Sequence, residues 1–126
     1  MAVNLTIYGR LDGLNDYVLA CRTNRYSGAN MKRRNEDVIK SHILTQIPRE
    51  RLKGKVHIHF AWYEPNKKRD LDNIAAAKKF ILDSLVATGT IEADGWSCVT
   101  GFTDSFSVDK DNPRIEVYIS SLEMEE

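Results

Sequence analysis

The chain has 126 residues, of which 42% are hydrophobic and 29% charged, and its formal net charge is zero. This length suffices for one domain with its own core, so we expect a single domain over residues 1–126. No apolar run approaches the roughly 18 residues that cross a bilayer. Cys21 and Cys98 lie far apart and outside any CxxC spacing, which predicts reduced thiols in a cytoplasmic protein.

The zero net charge conceals a strong asymmetry along the chain. Residues 22–69 contain 13 Lys or Arg and 4 Asp or Glu, whereas residues 70–126 contain 4 and 12. A basic half of this kind indicates an anionic partner, such as a nucleic-acid phosphate backbone. The alternative is a solvated helix face whose neutralising partners lie elsewhere in the chain.

The first predicted strand runs from Val3 to Tyr8, because apolar and polar residues alternate there. The Asp12-Gly13 pair then breaks the strand. Asn15 or Asp16 is expected to cap a helical turn that continues through Cys21.

A longer helix is predicted from about Ala29 to Ile47, where apolar residues recur at helical spacing and Pro48 stops it. Tyr26, just before it, can stack on an unpaired base or pack on the core with its hydroxyl in water, and we favour packing. The basic residues at this end are expected to contact DNA; they are Arg22, Arg25, Lys32, Arg33 and Arg34.

The second strand is predicted over Lys55 to Tyr63, with Val56, Ile58, Phe60 and Trp62 on its inner face. His57 and His59 lie on the other face and can in principle share a metal ion. An exposed pair is the favoured interpretation, since no Cys or third His is nearby to complete a zinc site.

A third helix is predicted to follow Asn73 and to run to about Val86, with Gly89 as its stop. Its apolar stripe is Ile74, Ala77, Ile81, Leu82 and Leu85. Further strands are predicted from Trp96 to Phe102 and from Pro113 to Ser120, and the acidic residues Glu123, Glu125 and Glu126 are expected to fray. We therefore expect an α+β fold, a small mixed sheet of about four strands with two main helices packed on it.

The candidate chemistry lies in Lys67–Asn73, where three cations run into Asp70-Leu71-Asp72. Carboxylates suit Mg²⁺, and the cations suit phosphate, so the pattern predicts metal-assisted phosphodiester hydrolysis. In extended backbone the two aspartates would share a face, with Cα atoms about 7 Å apart. Alternatively, Asp72 or Asn73 caps the next helix and Asp70 only faces the cations.

A third acid, Asp94, sits in a turn after the predicted helix, with Glu92 as a competing candidate. Lys79 either neutralises charge at the scissile phosphate or forms an i,i+4 surface pair with Asp83. Lys78 falls within the apolar stripe, where its stem is expected to pack while its ammonium reaches solvent.

The runs Lys68–Ile74 and Lys79–Leu85, with Gly89 and Asp94, resemble the RusA family of Holliday-junction resolvases, and Asn112–Ile119 is similar to the family's last strand. The resemblance implies a RusA-like fold and a Mg²⁺-dependent homodimeric endonuclease that cuts four-way DNA junctions in recombination and repair.

By the same resemblance, the metal-binding carboxylates fall on Asp70, Asp72 and Asp94. The family's lysine falls on Lys79 when the helix is aligned back from Gly89, with Lys78 as the second candidate, because Ala75-Ala76-Ala77 reads as an insertion. Lys67, Lys68, Arg69 and Lys78 join the residues expected to bind DNA.

Two other functions fit the same sequence. One is a non-catalytic branched-DNA-binding module whose aspartates serve as helix caps. The other is a Mg²⁺-dependent nucleotide hydrolase, which the lack of a Gly-rich phosphate loop disfavours.

Overall fold

The computed structural model describes residues 2–122. It contains four strands and four helices, which confirms the predicted α+β fold with a small mixed sheet. The strands are β1 Ala2–Tyr8, β2 Val56–Glu64, β3 Val99–Val108 and β4 Arg114–Ser121. The helices are α1 Leu14–Thr23, α2 Ser27–Gln46, α3 Leu71–Ala75 and α4 Lys78–Ala87. The acidic residues Glu123, Glu125 and Glu126 lie outside the described residues.

The strands are ordered β1-β4-β2-β3, and only the β2–β3 pair is parallel. Parallel neighbours need a crossover connection, which α3 and α4 supply here. The chain thus leaves β2 after Glu64, passes through both helices and returns to pair Val99 with Val56. Asp70 and Asp72 begin this crossover, and Asp94 lies on its return path.

The core forms between the helices and the inner face of the sheet. Alternate residues of β2 from Val56 to Trp62 are buried, as predicted, together with the inward residues of β1 and β4 and the predicted stripe of α3 and α4. The alternation continues to Glu64, whose side chain is only 9% exposed. The second strand therefore ends with a carboxylate at an inward-facing position.

No helix among residues 2–122 is long and apolar enough to span a bilayer.

The start of α1 differs from the prediction. Its N-cap is Gly13, so the predicted capping by Asn15 or Asp16 is wrong. Asp16 lies three residues inside the helix, and its carboxylate accepts a hydrogen bond from the Gly13 backbone N–H at 2.9 Å. Asp16 is therefore the N3 residue of a capping box, whose side chain bonds the N-cap backbone N–H, and is not the N-cap itself.

Tyr26 also differs from the prediction. It is the N-cap of α2 and its side chain is 61% exposed, so packing on the core is wrong. The Arg25 guanidinium lies over its ring, 4.8 Å from the centroid. The tyrosine therefore lies at the surface, with its ring beside Arg25.

The helix predicted to follow Asn73 is two helices, divided at Ala76 and Ala77. Around the division the hydrogen bonds tighten to i→i−3 geometry, with Ala77 N donating to Ile74 O at 3.3 Å and Phe80 N to Ala77 O at 3.0 Å. Alanine is the best helix former, so intrinsic propensity does not cause this break. Gly89, with φ +76°, ends α4 as predicted.

The third strand begins later than predicted, at Val99 rather than Trp96. The backbone N–H groups of Cys98 and Val99 both donate to the Gly95 carbonyl, which closes a turn over this segment. Trp96 projects from the turn and is 99% exposed.

Cys21 is exposed, Cys98 is buried, and both are free thiols.

Candidate active site

Asp70 and Asp72 stand at the start of α3. Asp70 is the N-cap, with extended backbone (φ −68°, ψ 157°), and Asp72 is already helical, so the predicted extended pair is wrong. Capping by Asp72 or Asn73 is wrong for the same reason. The exposed Asp70 carboxylate makes no cap hydrogen bond, and that of Asp72 accepts, within residues 2–122, only from the Asn73 backbone N–H, at 3.0 Å. Both side chains therefore offer carboxylate oxygens to solvent or to a ligand.

The residue before Asp70 is bound to the end of β2. Arg69 donates from Nε to Glu64 Oε1 at 3.0 Å and from Nη2 to Glu64 Oε2 at 2.9 Å, and its Nη1 reaches the Leu11 carbonyl at 3.2 Å. Arg10 donates to Glu64 Oε1 at 3.0 Å. Burial raises the pKa of Glu64, but the hydrogen bonds from Arg69 and Arg10 outweigh it and hold the pKa below its usual range. Glu64 is therefore ionised at neutral pH.

The residue after Asp72 is bound to the start of α1. Asn73 is buried, and its Oδ1 accepts a hydrogen bond from Asn15 N at 2.9 Å. Gly13 lies so close that a Cβ there would come within 2.5 Å of the same oxygen. The two aspartates are thus flanked by two anchors: Arg69 contacts the segment between β1 and α1, and Asn73 contacts the first turn of α1.

Lys79 joins the crossover helix to its return path. Its Nζ lies 3.0 Å from Asp83 Oδ1, which confirms the i,i+4 pair, and also 3.2 Å from Asp94 Oδ2. Lys32 of α2 contacts the other Asp83 oxygen at 2.9 Å. The hydrogen bond to Asp83, followed in size by the one to Asp94, raises the pKa of Lys79. Lys32, Asp83, Lys79 and Asp94 form a chain of alternating charges.

Two of these four charged side chains, Lys32 and Lys79, line a cavity of about 320 Å³ between α1, α2 and α4. Asp12, Tyr17 and Phe80 are among its other lining residues. A second cavity of about 310 Å³ lies beside Asp70, lined in part by Lys67, Leu71 and Phe106. Each cavity combines basic side chains with apolar surface.

The Lys78 side chain lies against β2 and β3, whereas that of Lys79 contacts Asp83 and Asp94. The Lys78 ammonium donates to Asp104 Oδ2 at 2.7 Å and sits over the rings of Phe60 and Phe102. Asp104 Oδ1 also accepts from Trp62 Nε1, at 2.9 Å. The predicted solvent-facing ammonium of Lys78 is therefore wrong, and Lys79 is the lysine in contact with Asp94.

The family model for endodeoxyribonuclease RusA matches residues 18–120, which is well over half of the chain and includes Asp70, Asp72, Lys79 and Asp94. The chain belongs to the RusA family. A search of curated proteins found no significant match. RusA proteins are endodeoxyribonucleases that hydrolyse DNA phosphodiester bonds and resolve Holliday junctions, so this chain is an enzyme of that class and acts on branched DNA. Nucleases of the RusA type generally use a divalent metal.

The carboxylates of this RusA chain have the right chemistry for a hard divalent cation, which prefers oxygen ligands. Within residues 2–122, however, no three His, Cys, Asp or Glu side chains lie close enough together to hold one ion. Asp94 is turned to Lys79, because the parallel β2–β3 pairing carries its segment back along the crossover. Glu92, the competing candidate, is exposed and accepts from the Gly54 backbone N–H.

The two histidines of β2 are bonded across the sheet. His57 Nε2 lies 3.1 Å from Thr103 Oγ1, and His59 Nε2 lies 3.1 Å from Ser105 Oγ. These contacts are to hydroxyls of β3, on the face of the sheet opposite the buried residues of β2.

The predicted DNA-contacting cations fall into two groups. Three are half-buried and paired with acids, namely Lys32, Arg69 and Lys78. The others are exposed; they are Arg22, Arg25, Arg33, Arg34, Lys67 and Lys68. These exposed cations lie at the end of α1, between α1 and α2, in the first half of α2, and in the loop before Asp70.

Sequence reasoning missed Glu64 and the second partner of Asp83. A signal for Glu64 was present, because it continues the inward alternation of β2, and a carboxylate in such a position needs charged partners. The Lys32–Asp83 contact joins residues 51 positions apart on different helices, and no sequence pattern points to it.

Proposed function

We propose that this chain is a Mg²⁺-dependent, structure-specific endonuclease that resolves four-way DNA junctions by paired phosphodiester hydrolysis in recombination and repair. The observation that carries the proposal is the Lys79–Asp94 contact, which joins the candidate lysine and third acid on the same crossover that begins with Asp70 and Asp72. The single domain over residues 1–126 and the cytoplasmic location stay predictions.

Asp70, Asp72 and Asp94 are the proposed Mg²⁺ ligands. The first two support this role because they are exposed and largely unengaged at the start of α3. Asp94 is the proposed third ligand, held by Lys79 until DNA and metal are bound. The ion, when bound, supplies a water of lowered pKa and a positive charge at the phosphate.

Lys79 is the proposed cation for the scissile phosphate. Its side chain is 67% exposed, and its raised pKa keeps it protonated well above neutral pH. A fixed positive charge at the position where negative charge develops lowers the barrier of phosphoryl transfer. Asp83 keeps the ammonium in place, since it contacts both Lys79 and Lys32.

The exposed cations are the proposed binding surface for the junction arms. Residues on α1, α2 and the loop before Asp70 supply this charge, and phosphate contacts of this kind set affinity without reading sequence. A four-way junction presents two related strands for cleavage, so two active sites related by a two-fold axis are required. We therefore propose that the active form is a homodimer.

A synthetic four-way junction incubated with the protein and Mg²⁺, beside a linear duplex of the same sequence, tests this function. The expected result is a pair of symmetric nicks in the junction and none in the duplex. Salt-sensitive junction binding without nicking would instead indicate the non-catalytic module. Release of product from free nucleotides, with the junction intact, would indicate the nucleotide hydrolase.

A further inference from the structure

The loop between β2 and α3 is closed at its base by one ion pair. Glu64 is the last residue of β2, Arg69 directly precedes Asp70, and the two are joined by parallel hydrogen bonds of 3.0 and 2.9 Å. Their side chains are only 9% and 16% exposed. A bidentate pair of this geometry fixes direction as well as distance, so it determines where the chain enters Asp70.

The same pair is tied to the segment between β1 and α1. Arg69 Nη1 reaches the Leu11 carbonyl, and Arg10 adds a third hydrogen bond to the Glu64 carboxylate. Asn73, on the other side of the two aspartates, accepts from Asn15 N. The Asp70–Asp72 segment is therefore held at both ends by residues 10–15.

We propose that Glu64, acting through Arg69 and Arg10, is a positioning residue that sets the placement of Asp70 and Asp72 for the divalent metal. This inference rests on the proposed metal-dependent function. It gives Arg69 a role inside the protein in addition to the DNA contact that the sequence predicted for it.

The geometry disfavours a direct role in metal binding for the Glu64 carboxylate. Both Glu64 oxygens already accept from guanidinium groups and the side chain is almost fully buried, so a hydrated metal ion has little access to this carboxylate. A buried anion also does not bind a phosphate backbone. Each of the three Arg69 nitrogens donates one N–H to a protein oxygen, which leaves two of its five N–H groups for a phosphate. Groups that hydrogen-bond metal ligands directly typically contribute about 10- to 100-fold to metal affinity, and we expect groups that fix the adjacent backbone to act near the lower end of that range.

The test uses the isosteric change Glu64→Gln and the charge-conserving change Arg69→Lys, each of which removes the bidentate pair. Mn²⁺ alone, titrated into the protein and followed by electron paramagnetic resonance, reports metal affinity without catalysis. We expect both variants to bind Mn²⁺ about tenfold more weakly or worse. The Mg²⁺ concentration for half-maximal junction cleavage should rise by the same factor, while metal-free junction binding by Glu64→Gln is unchanged.

Arg114→Lys is the matched control. Arg114 is 18% exposed, donates to Asp109 and Glu116, and lies opposite Tyr63 at the start of β4, with its guanidinium over the Tyr63 ring and not on the Glu64 carboxylate. The same chemical change at similar burial should leave Mn²⁺ affinity unaltered. Arg10→Gln, at a more exposed partner of Glu64, is a milder variant in case the others fail to fold, and it should weaken Mn²⁺ binding in the same direction.

The outcomes separate this inference from the proposed function. Normal Mn²⁺ affinity in folded Glu64→Gln and Arg69→Lys, with wild-type cleavage intact, overturns the positioning role alone. Weaker metal-free junction binding by Arg69→Lys, with an unchanged metal titration, shows a DNA contact and overturns it as well. Absence of any metal-dependent cleavage by the wild-type protein is a failure of the proposed function.

Discussion

Lys79 donates a hydrogen bond to Asp94 across 3.2 Å, although the two residues lie on opposite arms of the β2–β3 crossover. The segment that returns to β3 therefore folds back against the start of α4. Because Lys79 also contacts Asp83, its ammonium is held between two carboxylates. Lys79 and Asp94, the candidate lysine and the candidate third acid, are thus paired with each other.

Replacing Lys79 by glutamine should lower cleavage, whereas replacing Lys78 by glutamine should lower stability. Lys79→Gln removes the exposed cation proposed for the phosphate, and single-turnover junction cleavage should fall about a hundredfold or more with little change in stability. Lys78→Gln leaves Asp104 without its ammonium and should cost about 1 kcal/mol in urea unfolding, with the cleaving step largely retained. Loss of cleavage in Lys78→Gln with cleavage retained in Lys79→Gln would instead assign the active-site role to Lys78.

Gly13→Ala should loosen the contact between α1 and α3. The new Cβ would lie 2.5 Å from Asn73 Oδ1 and 2.8 Å from the Asn73 carbonyl oxygen, so the backbone has to shift. We expect a loss of about 1–3 kcal/mol in the free energy of unfolding. Gly101→Ala is the control, since a Cβ there meets nothing within 4 Å. Equal effects at the two glycines would mean that the α1–α3 contact is not tight.

Acid should weaken the contribution of Glu64 to stability. Its pKa is lowered in the folded protein below the ordinary value of 4.5, so its contribution is fully present above that pH and is lost as the pH falls through the folded pKa. The difference in unfolding free energy between wild type and Glu64→Gln should therefore shrink below about pH 4.5. Urea unfolding at pH 7 and pH 3 measures it, with Glu50→Gln as the control. A difference that stays constant over this range contradicts the assigned ion pair.

The sequence predicted the elements whose pattern is local. Alternation placed β1, β2 and β4, and the stripe from Ile74 to Leu85 identified the buried side of the crossover helices. Alanine favours helix, so the division at Ala76 and Ala77 had no local signal. The exposed Tyr26 was mistaken for a core residue because aromatic character alone does not tell which side of a loop it faces.

The site was predictable in its residue types but not in its contacts. Motif spacing singled out Asp70, Asp72, Lys79 and Asp94, and the contact of the last two is present. The anchors of the aspartate loop depend on residues 58 positions apart, such as Asn15 with Asn73 and Leu11 with Arg69. Contacts at that separation arise only from the fold.

Junction binding should depend steeply on salt through the cations of α2. Removing one cation that neutralises a phosphate lowers the slope of log affinity against log salt by about 0.9, so Arg33→Gln combined with Arg34→Gln should lower it by up to about 1.8. Arg49→Gln, which removes one exposed charge beyond the other end of α2, is the control and should leave the slope unchanged. An unaltered slope in the double variant would exclude this part of α2 from the binding surface.

The most direct test of metal-dependent cleavage at the aspartates is Asp70→Asn, assayed for junction cleavage and junction binding in the same Mg²⁺ buffer. The account predicts that paired nicking is abolished while the junction is bound as tightly as by the wild-type protein or more tightly, because one negative charge has been removed near the phosphates. Retained cleavage, or a variant that no longer folds or binds the junction, would contradict it.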